Sequence, residues 1–204
     1  MSRREHNIQP LLPSGYRELE YIGATGTQYI NPNISVNTGK TEYIIRYSKT
    51  YVTSGGYSLI GGGDTNDTHW TGNCYHSGMQ LRFYVGTSGN VFSYNLTANE
   101  IYDLNVIVNA NNIMYSISIA DQSRSGSFND NLSTFQPWIF TFNRGGTKLY
   151  NFRGKLYRLA IIRNDVYERY FIPALRIADN KPGLYDLANN QFYTNAGTGE
   201  FLYA

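Results

Sequence analysis

The sequence lacks the features that define several classes of protein. It has a single cysteine, Cys74, which excludes an internal disulfide. Charged residues make up only 16% of the chain, and 17 Lys and Arg nearly balance 15 Asp and Glu, so the strong positive field of a nonspecific nucleic-acid binder is missing. No apolar stretch approaches membrane-spanning length, and the opening MSRREHNIQP has no apolar run of the kind found in secretion signals. We therefore expect no nucleic-acid partner, no membrane insertion and no secretion signal.

Aromatic residues, by contrast, are abundant. The 204 residues include 19 Tyr, 10 Phe and 2 Trp, and apolar residues make up 41% of the chain. This fraction suffices for a core, and the length fits one all-β domain. Tyr favours strands and binding surfaces alike, because its ring packs while its hydroxyl forms hydrogen bonds. The composition predicts one globular β-domain.

Period-two alternation recurs along the chain and indicates many short strands separated by polar turns. No segment has a convincing helical pattern. We predict strands at residues 16–22, 25–30, 41–47, 57–61, 80–85, 90–94, 101–108, 113–120, 138–143, 154–163, 168–172 and 191–194. Antiparallel strands joined by such turns pack as two stacked sheets, so the pattern predicts a β-sandwich whose core is shared along the whole chain.

Turn and loop chemistry divides these strands. Asn-rich pairs and runs at residues 109–112, 164–165 and 189–190 are typical of tight hairpins, because Asn tolerates left-handed backbone conformations. Residues 48–56, 61–78 and 121–136 are predicted loops. Residues 1–14 have no periodicity and are predicted to be an N-terminal arm outside the domain of residues 15–204.

Segments at both ends go beyond a generic strand pattern. They are LPSGYRELEYI (12–22) and TGTQYI (25–30) at the start, then GKLY (154–157), FIP (171–173), GLYD (183–186) and FYTNAGTG (192–199). Together they resemble the opening and closing segments of concanavalin-A/laminin-G-like domains common in gut bacteria and their phages. The resemblance implies an antiparallel two-sheet jelly roll whose first and last strands are neighbours. It also implies a place at a cell or virion surface, with no settled enzymatic activity.

An enzyme is the first function to weigh, because the same fold carries glycoside hydrolases. Those enzymes need a pair of carboxylates at the scissile bond. Glu18 and Glu20 share one strand face and are the nearest approach to such a pair. They lie in the opening scaffold segment, where a solvated strand face is the simpler interpretation. We expect a non-enzymatic protein.

A metal site is the second function to weigh. Asp64, Asn66 and Asp67 place three oxygen-bearing side chains in a Gly-flanked segment, which is the material of a calcium site. An ordinary polar loop is the alternative, since the segment lacks the bidentate Glu and the Gly of an EF-hand loop. Zinc is not expected: His69, Cys74 and His76 lack a fourth ligand. Calcium is thus the one cofactor that we consider, beside none.

A saccharide site is the third function to weigh. Tyr51, Tyr57, Trp70 and Tyr75 lie in and around the Gly-rich segments, next to Asn, Asp and Gln residues. Aromatic faces beside such polar groups are how lectin-like sites hold sugars. The competing interpretation is that they belong to the core or to a sheet surface, as most aromatic residues in a Tyr-rich chain do.

The resemblance and the arm together suggest a place in a larger assembly. Our leading hypothesis is a non-enzymatic structural protein of the phage virion surface, an auxiliary or decoration protein of the capsid exterior, made in the host cytoplasm. The arm would dock to other virion proteins through Arg3, Arg4, Ile8, Leu11 and Leu12. The alternative is a carbohydrate-binding tail receptor-binding protein or surface adhesin, with host or mucosal glycans as partners.

Overall fold

A computed structural model describes residues 12–52, 54–129 and 131–204, and within these ranges the chain forms strands and no helix. No described helix is therefore available to cross a membrane. The strands of these ranges are β1 Tyr16–Glu18, β2 Ile22–Thr25, β3 Lys40–Lys49, β4 Gly56–Gly63, β5 Trp70–Ser77, β6 Gln80–Gly86, β7 Asn90–Asn95, β8 Ile101–Asn109, β9 Met114–Ile119, β10 Gln122–Ser127, β11 Trp138–Ile139, β12 Phe142–Arg144, β13 Thr147–Leu149, β14 Arg153–Arg163, β15 Val166–Arg176, β16 Lys181–Asp186, β17 Gln191–Tyr193 and β18 Leu202–Tyr203.

The strands form two sheets, which confirms the predicted sandwich. The first sheet has the order β10-β9-β8-β3-β14-β15-β16-β17, with β1 paired to β15 and β2 paired to both β14 and β18. The second sheet has the order β13-β12-β4-β5-β6-β7, with β11 paired to β4. The pairing is antiparallel except between β4 and β12, which run parallel. The pairing of β2 with β18 brings the two ends of the fold together, as the family resemblance implies.

The core lies between the sheets and follows from the alternation of the long strands. In β3, Tyr43 and Tyr47 are fully buried, while on the paired strand β8 Leu104 and Val106 are buried on the same side. Burying one such aliphatic side chain contributes about 1.5–3 kcal/mol. The second sheet faces this layer, since the Tyr47 hydroxyl lies 3.3 Å from Nε2 of His76 on β5.

The three hairpin turns predicted from Asn-rich sequence are confirmed. Residues 110–113 join β8 to β9, residues 164–165 join β14 to β15, and residues 187–190 join β16 to β17. Asn164, Asp165 and Asn190 have φ values of 48°, 67° and 53°. Asn and Asp adopt the left-handed conformation more readily than most residues, which explains their place in the second and third turns. In the first turn the left-handed residue is Ile113, with a φ of 52°.

The strand predicted at 25–30 is wrong beyond its first residue. Gly26 has a φ of 109°, which turns the chain out of the strand path. The buried Gln28 side chain then holds the turn: its Oε1 accepts a 2.8 Å hydrogen bond from the Thr25 amide, and its Nε2 donates a 2.8 Å bond to the Glu200 carbonyl. The alternation of Thr and Tyr in this segment therefore does not mark a strand.

Two predicted loops are also wrong in part. Residues 61–78 contain the end of β4 and all of β5, and residues 121–136 contain β10. Strand β5 carries Gly, Asn and Ser with few apolar side chains, and β10 is an exposed edge strand of Ser, Arg, Gly and Gln. Neither has the apolar alternation from which strands are recognised in a sequence. Strand β16 was missed as well.

A second, smaller apolar cluster lies outside the main core. Its buried members are Ile172, Ala174 and Tyr185, and Leu12 and Tyr16 pack against them. Leu12 is the one predicted docking residue of the arm that lies within the described ranges, and it contacts the chain's own sheet. Arg3, Arg4, Ile8 and Leu11 lie outside the described residues.

Candidate functional site

The outer face of the second sheet presents polar and aromatic side chains. On β5 and β6, Cys74 and Phe83 are fully buried and point into the core. Their sequence neighbours Asn73, Tyr75 and Tyr84 therefore point to the opposite face, because side chains alternate along a strand. The strand register pairs Asn73 with Tyr84, which places them side by side.

A cavity of about 180 Å³ opens on this face. Its wall comprises Asp67, Trp70, Asn73, Tyr75, Arg82, Tyr84 and Tyr150. We call this cavity the outer-face pocket.

Four aromatic rings form one side of the outer-face pocket. Tyr84 lies at their centre, with its ring centroid 5.4 Å from that of Trp70 and 5.6 Å from that of Tyr75. Tyr150 continues the row at 5.2 Å from Tyr75 in an edge-to-face contact. Such contacts hold each ring against its neighbours and contribute about 0.5–1.5 kcal/mol per pair beyond simple burial. The rings thus form a fixed wall.

Asn73 supplies an oriented amide at the floor of the pocket. It is 3% exposed, and its Oδ1 accepts a 2.7 Å hydrogen bond from the Ser58 hydroxyl. Because Oδ1 is occupied in this way, the NH₂ group is the part of the amide left to bind a ligand, and it donates to no described residue. Asn73 therefore offers a hydrogen-bond donor.

Asp67 supplies an acceptor at the rim. Its Oδ2 lies 3.1 Å from the Arg144 guanidinium, whereas its Oδ1 is buried and has no hydrogen-bond partner among the described residues. Burial raises the pKa of Asp67, an effect that Arg144 opposes and Asp64 reinforces. An unpaired buried acceptor is costly, and a ligand that donates a hydrogen bond to it removes that cost.

Arg82 supplies the positive charge of the pocket. Its Nε donates a 2.8 Å hydrogen bond to Oε1 of Gln80, which fixes the direction of the guanidinium. No acid in the described ranges forms an ion pair with Arg82. Its remaining N–H groups are available to oxygen atoms of a ligand.

Two of the four aromatic residues predicted for a saccharide site line this pocket, namely Trp70 and Tyr75. The other two lie elsewhere. The centroid of the Tyr57 ring lies 4.0 Å from the buried Lys49 Nζ, so this ring packs against the interior of the protein. The Tyr51 side chain is 64% exposed and does not line the outer-face pocket.

The residues predicted for calcium are used largely in contacts within the protein. The Asp64 carboxylate accepts hydrogen bonds from the Thr68 amide at 2.8 Å and from the His69 ring at 2.9 Å. Burial alone would raise the pKa of Asp64, but these hydrogen bonds outweigh it and hold the pKa well below its usual range. Asn66 is exposed, and Asp67 pairs with Arg144. This geometry favours the polar-loop interpretation of the segment.

The weaker catalytic and zinc candidates do not come together. Cys74 and His76 are fully buried in the core, whereas His69 contacts Asp64 on the surface. Within the described ranges, no three His, Cys, Asp or Glu side chains are grouped closely enough to hold a metal. Burial raises the pKa of the Cys74 thiol to about 12, so it is not poised as a nucleophile. Glu18 and Glu20 are exposed and do not line the outer-face pocket.

Sequence reasoning missed Asn73, Arg82, Tyr84 and Tyr150. A signal for two of them was present. In β6, Arg82 and Tyr84 alternate with the apolar Leu81 and Phe83, so the polar face of that strand could have been assigned to a site. Asn73 was placed in a loop, and Tyr150 comes from a distant part of the sequence, so neither could be positioned without the fold.

Comparison with known proteins places the chain by fold alone. No protein-family model matches it, and no curated protein matches it. A proposed carbohydrate-binding protein from Bacteroides ovatus is 11% identical with a TM-score of 0.63, and the match covers 92% of this chain and 60% of that one. The chain therefore spans less than two thirds of that protein's length.

Two further solved structures match over nearly their whole length. The CBM40 domain of the Ruminococcus gnavus IT-sialidase is 13% identical with a TM-score of 0.53, covering 81% of this chain and 96% of that one. The same domain has also been solved bound to α2,3-sialyllactose. A heptameric SAP-like pentraxin from Limulus polyphemus is 9% identical with a TM-score of 0.56, and the match covers 93% of this chain and 94% of that one. At these identities the matches show the two-sheet β-sandwich fold alone.

Proposed function

We propose that the protein is a saccharide-binding domain whose site is the outer-face pocket. One observation carries the proposal: Asp67, whose carboxylate Oδ1 is buried without a hydrogen-bond partner among the described residues, lines the same pocket as a row of packed aromatic rings. A sugar ring has apolar C–H faces and hydroxyl edges, so it can stack on Trp70 or Tyr84 while a hydroxyl donates to Asp67.

The remaining polar groups of the pocket suit the same ligand. The Asn73 amide can donate to a ring or hydroxyl oxygen, and the Arg82 guanidinium can donate to a second oxygen or to a ligand carboxylate. The names of two structural neighbours refer to carbohydrate binding, and one of those domains is known with a sialylated sugar bound. This context supports a saccharide ligand.

We expect binding without hydrolysis. The pocket wall contains one carboxylate, that of Asp67, and it is paired with Arg144. Glycoside hydrolysis ordinarily needs a second carboxylate at about 5–5.5 Å or 6.5–9.5 Å. The nearby Asp64 carboxylate already accepts hydrogen bonds from the Thr68 amide and the His69 ring. The described residues of the pocket thus suit recognition better than hydrolysis.

We further propose that the protein lies on the surface of a virion. The resemblance of both terminal segments to domains of gut bacteria and their phages supports a virion-surface protein, either a decoration protein of the capsid or a receptor-binding protein of the tail. Detection of the protein on purified particles, with its copy number, separates these two roles. Absence of the protein from purified particles would refute a virion role, but it would not bear on the proposal that the protein binds a saccharide.

The saccharide proposal is tested on a glycan array with wild type, Trp70→Ala and Tyr51→Ala. Tyr51 is the matched control, because it is an exposed aromatic residue outside the pocket. We expect wild type and Tyr51→Ala to bind the same glycans, and Trp70→Ala to lose about tenfold or more in affinity. A folded wild type that binds no glycan on a broad array would overturn the proposal, as would unchanged binding by Trp70→Ala.

A further inference from the structure

Two cations lie on the outer face of the first sheet, at the start of β14. Leu156 is fully buried and points into the core, and Gly154, paired with the buried Ala24, shares its side of the strand. Arg153 and Lys155 alternate with them and therefore point outward together. The two cations belong to the opposite sheet from the outer-face pocket.

Neither cation has an acidic partner among the described residues. The ion pairs of the described ranges involve other side chains, and none includes Arg153 or Lys155. The Lys155 Nζ lies over the ring of Tyr21, 3.9 Å from its centroid, which holds the ammonium in place without neutralising its charge. An arrangement of this kind leaves a positive charge that an anion can balance.

The cations line a cavity of about 260 Å³. Its wall is formed by Tyr21, Gly23, Ala24, Thr25, Thr50, Arg153, Gly154, Lys155 and Leu202, and none of these nine described residues is acidic. Tyr21 and Leu202 give the cavity an apolar side, and Thr50 adds a hydroxyl. We call this cavity the β14 pocket.

A third cation strengthens the local positive field. Lys49 pairs in register with Gly154, and its Nζ is buried without a hydrogen-bond partner in the described ranges. Burial, together with the positive charge of the nearby Arg153, lowers the pKa of Lys49 to about 8. Arg153 and Lys49 thus interact across the sheet, and an anion bound at Arg153 would relieve their repulsion.

We infer that the β14 pocket is a second ligand site, which binds the anionic group of an acidic saccharide between Arg153 and Lys155. The planar guanidinium matches a carboxylate or a sulfate ester with two parallel hydrogen bonds, and the ammonium adds a second positive charge. The sugar ring carrying that group packs on Leu202 and on the part of the Tyr21 ring that the Lys155 ammonium does not cover. A free inorganic anion would leave these apolar surfaces uncovered. This inference does not depend on the outer-face pocket.

The test is a calorimetric titration of the full chain with three saccharide probes and with inorganic sulfate. Trigalacturonate carries carboxylates, a sulfated galactotriose carries sulfate esters, and unmodified galactotriose is the neutral control. The variants are Arg153→Gln and Lys155→Met, with Lys148→Met as the matched control because Lys148 is an exposed lysine outside the β14 pocket. Thermal melting curves establish that each variant is folded.

We expect wild type and Lys148→Met to bind at least one acidic probe, more weakly at higher salt. Arg153→Gln and Lys155→Met should each lose about tenfold or more, as expected for a hydrogen bond to a charged group. Preference between the two acidic probes identifies carboxylate or sulfate as the group that is bound. Because the outer-face pocket of the proposed function could also bind these saccharides, each titration is repeated in a Trp70→Ala background, and the outcomes that test the β14 pocket refer to the binding that remains there.

Three outcomes would overturn the inference. Binding of neither acidic probe, or acidic binding that survives both variants, would show that the cations hold no ligand. Inorganic sulfate binding as tightly as the acidic saccharides would show that the ring is not recognised. Equal binding of neutral galactotriose would show that charge is not what the β14 pocket selects.

Discussion

A Cβ atom on Gly61 would lie 2.4 Å from Oδ1 of Asn73, so the glycine in β4 leaves the space that the Asn73 amide occupies in β5. Contacts this short do not occur between real atoms, and Asn73 could not keep its place if residue 61 carried a side chain. The donor group of the outer-face pocket therefore depends on the absence of an atom on the neighbouring strand.

We predict that Gly61→Ala displaces Asn73 and destabilises the fold by about 1–3 kcal/mol, the usual effect of overpacking a buried position. Saccharide affinity should fall with it, because the amide loses its orientation. Urea unfolding and a saccharide titration measure the two effects. Gly126→Ala in the edge strand β10 is the control, since the nearest atom to its Cβ would be the Tyr115 hydroxyl at 3.1 Å. Unchanged stability and affinity in Gly61→Ala would contradict this account.

Tyr84 should act through its ring. It contacts both Trp70 and Tyr75, so Tyr84→Ala removes the centre of the aromatic wall and should lower saccharide affinity about tenfold or more. Tyr84→Phe keeps the ring and should bind within about threefold of wild type. Isothermal titration with a glycan found on the array measures both variants. Equal affinity of Tyr84→Ala and wild type would show that the wall does not contact the ligand.

Saccharide binding in the outer-face pocket should not require calcium. The carboxylates of Asp64 and Asp67 already contact Thr68, His69 and Arg144, so recruiting them to a metal would break these interactions. We therefore predict the same saccharide affinity and the same melting temperature in EDTA and in millimolar calcium. A loss in EDTA that added calcium restores would support the calcium site instead.

Stability should fall in mild acid because of His76. Burial, with the nearby Lys49, lowers the pKa of His76 well below 6.5 in the folded protein, whereas the unfolded chain keeps the ordinary value. Below pH 6.5 the unfolded chain therefore binds more protons, and the free energy of unfolding decreases as pH falls, by up to about 1.4 kcal/mol per pH unit.

Urea unfolding at several pH values, with wild type and His76→Gln, measures this effect. The difference between the two pH profiles isolates His76 from the carboxylates that titrate in the same range. The wild type should lose stability more steeply than His76→Gln between about pH 4.5 and 6.5. Parallel profiles would show that His76 is not held neutral by the core.

The sandwich could be predicted from the sequence because buried and less buried residues alternate along all of β8 and along β3 as far as Tyr47. Asn residues also mark the turns that follow β8 and β14. Individual strands were missed where the sequence carries no such alternation, as in β5. The outer face of β5 carries Asn73 and Tyr75 and its inner face includes Gly72 and His76, so apolar alternation is absent.

Only two of the four aromatic residues predicted for the saccharide site line the outer-face pocket, because the sequence does not show which strand face each residue occupies. Trp70 and Tyr75 were identified from aromatic residues near polar ones, but the same criterion selected Tyr57, whose ring instead contacts the buried Lys49. A sequence does not tell which face of a strand is solvated when both faces carry aromatic residues. Tyr150 joins the pocket only because β12 and β13 extend the sheet beside β4.

The central claim, that a saccharide binds on the outer face of the second sheet, is tested most directly by NMR titration of ¹⁵N-labelled protein. The chain has two tryptophans, Trp70 in the outer-face pocket and Trp138, which stacks on Tyr29 at 4.8 Å outside it. Saccharide should shift the indole signal of Trp70 and the side-chain amide of Asn73 while the Trp138 indole stays in place. Saturating saccharide that leaves Trp70 and Asn73 unmoved, or that shifts Trp138 instead, would contradict the claim.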